Sequence, residues 1–372
     1  MGLTVSHEVL SLALRDPFRI ARSEPGAGER ITTVVVELRD ERFPGVIGIG
    51  EGYPERFYGE TPETMAAIFP LLLAAIGEFE PTVDGVIAAD HRMERAIRGH
   101  GAARCAIDIA LHDLVGKIEG VSVYSLRGLS PDSPPTDFTI GIDAPAVVAD
   151  RARRAADFPA LKIKVGGPAD VATLRAVREV YAGPIRVDAN TGWSRRDAER
   201  LLPELLDIGV ELIEQPFPAR AYRDLAWLQE RSPVPIVADE SCVLPEDLEA
   251  LRDLVAGINV KLAKCGGIGP AFRMLAEGRR MGFRTFLGCM EETSVAIAAS
   301  AVVASLAEWV DLDGCLLLAD DPFEGLELGP DKRWRLADRP GLGIVRKVAR
   351  TGSRTYRTGV LAFVHRCGKV RG

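Results

Sequence analysis

The chain's most informative residues are lysines and carboxylates that end short runs of β-forming residues. Lys162 and Lys164 stand two positions apart in LKIKVG, and Lys264 ends the run GINVKLAK. Three acidic residues end three further runs that lie between these lysines: Asp188, Glu214 and Asp239. Amines can take and return protons, and carboxylates can hold a hard metal ion. The combination predicts metal-assisted acid–base chemistry.

The three carboxylates form the predicted metal site. Oxygen ligands without imidazole or thiolate favour Mg²⁺, with Mn²⁺ possible, over zinc. Each carboxylate alone could equally be a loop cap or a salt-bridge partner, and only their place at three successive run ends favours a metal. The five histidines all lie outside this region, at His7, His91, His100, His112 and His365. This excludes a histidine-rich zinc site and a histidine base among these runs.

The lysines supply the predicted acid–base groups. Lys162 and Lys164 point the same way because side chains alternate along a strand. Two neighbouring ammonium groups and a nearby dication disfavour the charged form, so we expect lowered lysine pKa values. The alternative is a lysine pair that reaches solvent at a strand end. Lys264 belongs to a run four strands further on, across a barrel mouth, whereas Lys261 has the opposite parity and is predicted to face outward or be structural.

The spacing of the runs predicts the fold that must position these groups. Eight runs recur roughly every 25 residues, with helical patterns between them, as in a parallel α/β barrel. They are DFTIGID (137–143), LKIKVG (161–166), PIRVDAN (184–190), VELIEQP (210–216), PIVADES (235–241), GINVKLAK (257–264), RTFLGCM (284–290) and VDLDGCL (310–316). We predict an α/β fold, a (β/α)7β modified TIM barrel. An open doubly wound sheet is disfavoured because no glycine-rich phosphate loop follows the first run.

The rest of the chain predicts two further regions. Residues 1–125 show three strand-like runs followed by helical patterns, which indicates an α+β capping domain. The barrel is assigned to 126–320, after the proline-rich linker LSPDSPPT. Residues 321–372 are expected to pack back on the capping domain, with a solvated basic tail after about residue 346.

Composition excludes several classes of partner. The net charge of −7 argues against nucleic acid. No apolar run is long enough to span a membrane, and the N-terminus does not read as a secretory signal. The six cysteines are dispersed without a C-x-x-C pair, which is typical of reduced, cytoplasmic proteins.

Five motifs resemble one known family when taken together. KIKVG, DANTGW, EQPF, ADES and KLAKCGG, in this order, resemble the muconate-lactonizing subgroup of the enolase superfamily. The resemblance covers roughly residues 5–345, including AIDIALHDL in the capping domain. It implies Lys164 and Lys264 as the acid/base pair and Lys162 as the helper of Lys164. It also implies Mg²⁺ on the three carboxylates, where the dication would stabilise an ene-diolate formed by loss of the proton beside a carboxylate.

The last run distinguishes among members of this subgroup. Asp311 and Asp313 share one strand face and would need a positive partner, which the amino terminus of a dipeptide supplies. This D-x-D resembles that of dipeptide epimerases of the L-Ala-D/L-Glu type, in which it holds the substrate amino group. The implied activity is 1,1-proton transfer at the α-carbon of the second residue. The alternatives are an N-acylamino acid racemase, a muconate-type cycloisomerase or, more remotely, a non-catalytic barrel scaffold.

Loops of the capping domain are expected to select the substrate side chain. Arg22, in PFRIARSE, could pair with an acidic second residue, whereas Glu51 or Glu55, in EGYPERFYGE, could favour a cationic dipeptide. Asn190 and Glu291, at the ends of barrel runs, complete the predicted substrate-binding set. A homo-oligomer is possible by analogy with similar enzymes.

Overall fold

The computed structural model describes residues 2–24 and 26–348. Most of the basic tail predicted after about residue 346 lies outside the described residues. Among those that are described, no helix has the length and apolar character needed to cross a membrane.

The N-terminal region is an antiparallel sheet covered by helices, as predicted. The strands are β1 (Leu3–Ala13), β2 (Arg30–Asp40) and β3 (Gly48–Gly52), and β2 lies in the middle. The helices are α1 (Pro62–Ile76), α2 (Val83–Ala96), α3 (Gly101–Glu119) and α4 (Val123–Leu126). Helix α3 lies so close to β3 that a Cβ on Gly50 would stand 2.0 Å from the carbonyl oxygen of Ala106. The glycines of β3 therefore allow the buried helix to pack directly on the sheet.

Eight parallel strands then form the barrel in sequence order. They are β4 (Phe138–Ile140), β5 (Leu161–Lys164), β6 (Ile185–Asp188), β7 (Val210–Glu214), β8 (Ile236–Ala238), β9 (Gly257–Val260), β10 (Arg284–Gly288) and β11 (Trp309–Asp311). A parallel bridge between Thr136 and Val310 joins the first strand to the last. Seven of the eight predicted runs contain a strand and the eighth overlaps β11, so the barrel prediction is confirmed.

Helices follow the strands on the outside of the barrel. They are α5 (Pro145–Arg154), α6 (Asp170–Val180), α7 (Arg195–Ile208), α8 (Tyr222–Gln229), α9 (Asp247–Leu251), α10 (Leu262–Cys265), α11 (Ile268–Arg280), α12 (Ser294–Val302) and α13 (Gly314–Leu317). Helix α7 shows how the sequence sets the start of such a helix, because the Ser194 side chain accepts a hydrogen bond from the Asp197 amide as an N-cap. Its apolar residues face the barrel, whose strands are buried on both sides.

The C-terminal segment returns across both regions. It contains the short strands β12 (Phe323–Glu324), β13 (Glu327–Leu328), β14 (Trp334–Arg335) and β15 (Val345–Arg346). Asp113 of α3 accepts the Leu342 amide at 2.8 Å, and Arg346 pairs with Glu8 of β1 at 2.8 Å. Trp334 donates to the Leu312 carbonyl at 2.9 Å, so the segment also contacts the last barrel strand.

Candidate active site

A polar cavity opens where the carboxyl ends of the barrel strands meet the capping domain. From the N-terminal region it is lined by Phe18, Ile20, Arg22, Glu55 and Tyr58. From the barrel it is lined by Thr139, Lys162, Lys164, Asn190, Asp239, Glu240, Lys261, Cys289, Met290, Glu291, Asp311, Asp313 and Leu317. Strand ends converge at one face of such a barrel, so residues far apart in sequence meet here.

Three carboxylates cluster at this face. Asp188 ends β6, Glu214 ends β7 and Asp239 directly follows β8. One oxygen from each lies within 4.8 Å of the others, and all three residues are buried. The sequence-predicted trio is therefore brought together by the fold.

The surroundings of the trio suit a hard cation. Asn259 donates to Glu214 Oε1 at 2.7 Å, and Lys162 Nζ lies 3.0 Å from Oε2 of this carboxylate. Burial, together with the neighbouring Asp188, raises the pKa of Glu214 to about 8. Three buried oxygen donors that repel one another fit a divalent ion such as Mg²⁺, which would favour their charged forms.

Lys162 and Lys164 both enter the cavity from β5, as side-chain alternation predicts. Lys164 Nζ lies 2.6 Å from Asp188, and Lys162 Nζ lies 2.6 Å from Asp311. Burial lowers the pKa of Lys162, but the surrounding carboxylates outweigh burial and raise this pKa well above its ordinary value. The protein's own groups therefore act against the predicted lowering for Lys162, because carboxylates surround its ammonium group more closely than other lysines do.

Two predictions for the lysines after β9 are wrong. Lys261 lines the cavity, with Nζ 2.9 Å from Asp239, and does not face outward. Lys264 is buried behind the cavity wall and does not line it. Its Nζ lies 2.5 to 2.9 Å from four acceptors, which are Asp239 Oδ1 and the carbonyl oxygens of Asp239, Cys242 and Asn259.

The physical reason is the position at which the strand ends. Strand β9 stops at Val260 and α10 begins at Leu262, so strand parity cannot be extended to Lys264. Lys261 keeps an extended backbone and lies two residues after Asn259, whose side chain points inward at Glu214. The alternation Asn259-x-Lys261 is the sequence signal that could have identified the inward lysine, once Asn259 was known to point inward.

Asp311 and Asp313 both line the cavity, as predicted. Asp311 accepts from the Thr139 hydroxyl at 2.8 Å in addition to pairing with Lys162. Asp313 accepts the Thr139 amide at 2.6 Å, and burial together with Asp311 raises the pKa of Asp313 well above its usual range. A carboxyl in this position would be stabilised as an anion by a cationic group of a ligand.

Arg22 and Asn190 lie at the mouth but already have partners. Arg22 pairs with the buried Glu240, donates to the Asn190 carbonyl at 2.8 Å and covers the Phe57 ring at 4.3 Å. Asn190 donates to Asp188 and Glu240 at 3.3 Å each. Glu240, which the sequence prediction did not assign, thus neutralises the guanidinium that was expected to meet an acidic substrate.

The predicted acidic loop residues separate into two groups. Glu55 and Glu291 line the cavity. Glu51 does not line it and is fully buried between the domains, where it accepts from Thr33 at 2.8 Å and from the Thr293 hydroxyl at 2.6 Å. The prediction of Glu51 as a substrate-binding residue is therefore wrong, because its side chain joins β3 to the start of α12.

The fold and this set of lysines and carboxylates define a superfamily of barrel enzymes. Residues 146–348 match the family described as "Enolase C-terminal domain-like". Residues 3–128 match "Mandelate racemase / muconate lactonizing enzyme, N-terminal domain". The chain belongs to the enolase superfamily.

The similar proteins narrow this class. The L-Ala-D/L-Glu epimerase of Bacteroides thetaiotaomicron is 38% identical over 339 residues, or 90% of this chain and 86% of that protein. A dipeptide epimerase from Enterococcus faecalis, solved with Mg and L-Leu-L-Tyr, is 33% identical with a TM-score of 0.84, covering 92% of this chain and 99% of that one. An N-succinyl Arg/Lys racemase from Bacillus cereus is 29% identical with a TM-score of 0.85, covering 93% and 96%. The relatives at over 30% identity that are named here are dipeptide epimerases.

Proposed function

We propose that the chain is a Mg²⁺-dependent dipeptide epimerase. The reaction is a 1,1-proton transfer that inverts the α-carbon of the second residue. The observation that carries the proposal is the placement of two lysines around the carboxylate trio. Lys164 ends β5 and Lys261 follows β9, and three strands separate β5 from β9 on either side of the eight-stranded barrel. A substrate held between them meets one amine on each face.

The two lysines divide the proton transfer. One amine removes the α-proton from one face of the substrate, and the ammonium group opposite returns a proton to the other face. Lys164 and Lys261 take these roles in place of the pair Lys164 and Lys264. Lys162 helps by its charge, because its ammonium group lies next to Lys164 on the same strand face.

The carboxylate trio holds the metal and thereby places the substrate. Asp188, Glu214 and Asp239 would bind Mg²⁺ through oxygen atoms, with Mn²⁺ as a substitute. The ion supplies Lewis-acid stabilisation for negative charge that develops on the substrate carboxylate. Lys264 supports this site by holding Asp239, and does not touch the substrate.

Asp311 and Asp313 are proposed to bind the α-ammonium group of the dipeptide. Both are buried and line the cavity. Glu55, Glu291 and Asn190 complete the polar wall. An N-acylamino acid racemase is the second candidate, because the Bacillus cereus racemase has an equal fold similarity. An acylated substrate carries no ammonium group for the two aspartates.

The domain organisation, the cellular location and the oligomeric state are part of the same proposal. Residues 1–125 would cap the barrel of residues 126–320 and contribute the loops over its mouth, and residues 321–372 would fasten the two. A cytoplasmic location fits the cysteines of the described region, which are buried and unpaired. Assembly as a homo-oligomer is retained as an expectation.

The experiment that tests the activity is α-proton exchange in D₂O followed by NMR. Pools of dipeptides with acidic, basic and apolar second residues are incubated with the Mg²⁺-loaded protein. We expect exchange with inversion in at least one pool, lost on adding EDTA and in Lys164→Ala and Lys261→Ala. Lys347→Ala, the same change on an exposed lysine, is the matched control.

Two outcomes would contradict the proposal. If folded, metal-loaded protein exchanged the α-proton of no dipeptide, dipeptide epimerisation would be rejected. Exchange of N-acylamino acids without exchange of free dipeptides would establish the racemase alternative.

A further inference from the structure

A second cavity lies beside the active site, on the outer side of β4. Its volume is about 290 Å³. Thr139 of this strand points inward at Asp311, so its neighbours Phe138 and Ile140 point outward, into the second cavity. Phe158, Leu316 and Leu328 extend this apolar part of the lining, and the charged residues Arg15, Asp16, Arg151 and Arg154 also line the cavity.

The second cavity and the active site share a wall. Phe18, Thr139 and Leu317 line both cavities. The amide and hydroxyl of Thr139 are the groups that bond to Asp313 and Asp311. The apolar space therefore begins directly beside the carboxylates proposed to hold the substrate amino group.

The segment of residues 15–18 lines the second cavity and is held to helix α5 by hydrogen bonds and ion pairs. Arg151 of α5 donates to the Pro17 carbonyl at 3.2 Å and pairs with Asp143 at 3.0 Å. Arg154 pairs with Asp16 at 3.0 Å. These contacts tie the segment of residues 15–18 to α5, and they occupy the two guanidinium groups with carboxylates of the protein itself.

We propose that the second cavity is the subsite for the side chain of the substrate's first residue, and that it selects a large apolar or aromatic residue there. The inference rests on the proposed epimerase function. A dipeptide whose ammonium group lies at Asp311 and Asp313 carries its first side chain one bond away from that group, next to the wall of Phe18 and Leu317. An apolar cavity of about 150 Å³ is sufficient for a benzene ring, so this cavity has room for a phenylalanine side chain. The apolar part of its lining offers a charged side chain no compensation for lost hydration, and Arg151 and Arg154 already pair with carboxylates of the protein.

The test compares dipeptides that differ only in the first residue. Epimerisation of L-Phe-L-Xaa and L-Ala-L-Xaa is measured for Xaa glutamate, lysine and leucine, and the two are compared at the fastest Xaa. We expect kcat/KM to favour the phenylalanine dipeptide by at least about tenfold, the scale on which hydrophobic pockets discriminate. Ala155→Leu, which fills the cavity from the end of α5, is expected to remove most of this preference by raising KM for the phenylalanine dipeptide. Its effect on the alanine dipeptide should stay within about twofold.

Two further variants complete the experiment. Ala146→Leu makes the same change at an exposed position of α5 outside the cavity, and should keep the preference of the unmodified protein. Leu328→Phe narrows the cavity from the half-buried C-terminal hairpin, and replaces Ala155→Leu if that variant does not fold. It is expected to reduce the preference in the same way.

The outcomes separate this inference from the proposed function. Equal or faster turnover of the alanine dipeptide, in a protein that epimerises both, would overturn the subsite and leave the epimerase intact. A phenylalanine preference that survives both cavity-filling variants would also overturn it, because the side chain would then bind elsewhere. No epimerisation of any dipeptide would reject the proposed function and, with it, this subsite.

Discussion

The barrel carries two lysine pairs, one on β5 and one after β9, and the two pairs are arranged differently. Lys162 and Lys164 are two residues apart on one continuous strand, and both reach the cavity. Lys261 and Lys264 are three apart, and a helical turn begins between them. Only Lys261 reaches the cavity, while Lys264 turns back and holds the backbone and side chain of Asp239.

The difference teaches that residue type and run position do not suffice to assign a role. Both pairs consist of buried lysines next to carboxylates, yet both side chains of the first pair reach the cavity and only one of the second pair does. Lys261 continues the inward face of β9 and can meet a substrate, whereas Lys264 lies in the helical turn that follows and supports Asp239. The four expectations below test this comparison, from the largest effect to the smallest.

Replacing either cavity lysine should have the largest effect. Lys164→Ala and Lys261→Ala are each expected to lower the rate of epimerisation by about 10³-fold, the scale of a lost general acid or base. Because the lysines act on opposite faces, each variant should retain exchange with at most one of the two stereoisomers. NMR in D₂O with each pure stereoisomer measures this. Equal exchange of both stereoisomers by Lys261→Ala would remove this lysine from the reaction.

The Lys264→Met variant should show whether Lys264 supports the metal ligand Asp239 or transfers a proton itself. The variant loses the hydrogen bonds of Nζ to Asp239, Cys242 and Asn259, so Mg²⁺ affinity is expected to fall by about 10- to 100-fold, as for other residues that hold metal ligands. Titration calorimetry measures the affinity, and exchange is then assayed at saturating Mg²⁺, where most activity should return. Unchanged metal affinity with lost exchange would instead make Lys264 a proton-transfer group, as the sequence alone suggested.

Asp311→Asn alters the surroundings of the β5 pair without touching the β9 pair. Lys162 loses its 2.6 Å partner, and the proposed site for the substrate amino group loses one charge. We expect KM for dipeptides to rise by about tenfold or more, the scale of a lost charge-assisted hydrogen bond. Steady-state kinetics with free and N-acetylated dipeptides measure the effect, with Asp320→Asn at an exposed site as the control. Indifference to Asp311→Asn would favour the racemase alternative.

Glu292→Gln tests a buried carboxyl that follows β10, the barrel strand next to β9. One of its oxygens has no hydrogen-bond partner in the part of the chain that the structure describes. Burial together with Glu51 raises the pKa of Glu292 to about 8 from an ordinary 4.5. Between these pH values the unfolded chain releases a proton that the folded protein keeps, so the free energy of unfolding falls as pH rises.

Glutamine cannot titrate, and it preserves an acceptor for the Met290 amide. The variant should therefore match the unmodified protein in Tm at pH 5 and exceed it at pH 9, by on the order of 2–4 °C. Calorimetry at the two pH values measures the difference. An equal Tm difference at both would show that Glu292 does not titrate in this range.

Much of the fold could be predicted from the sequence, because its signals are local. Short runs of β-forming residues and helical patterns alternate along the barrel region, and each run overlaps a barrel strand. The carboxylates of β6, β7 and β8 could be placed together for the same reason, since they end neighbouring parallel strands. Lys162 and Lys164 were placed correctly because both lie within one strand, where alternation holds.

The loop residues could not be placed in this way. Glu51 lies on β3 but bonds to Thr293, which is 242 positions away in the chain. Arg22 was expected to pair with an acidic second residue of the substrate, but the fold pairs it with Glu240, which is 218 positions away in the chain. Such contacts carry no local pattern, because they depend on how the capping domain meets the barrel.

The sequence by itself determined the barrel, the carboxylate trio and the first lysine pair, because strand alternation and run order are properties of neighbouring residues. Only the tertiary structure decided which lysine of the second pair faces the substrate. The backbone of Gly101 in α3 lies against the Lys264 carbonyl, and Asp108 accepts the Ile268 amide at 2.6 Å. These contacts hold residues 262–268 against the capping domain, beyond the end of β9, so that Lys261 remains on the inward face and Lys264 does not.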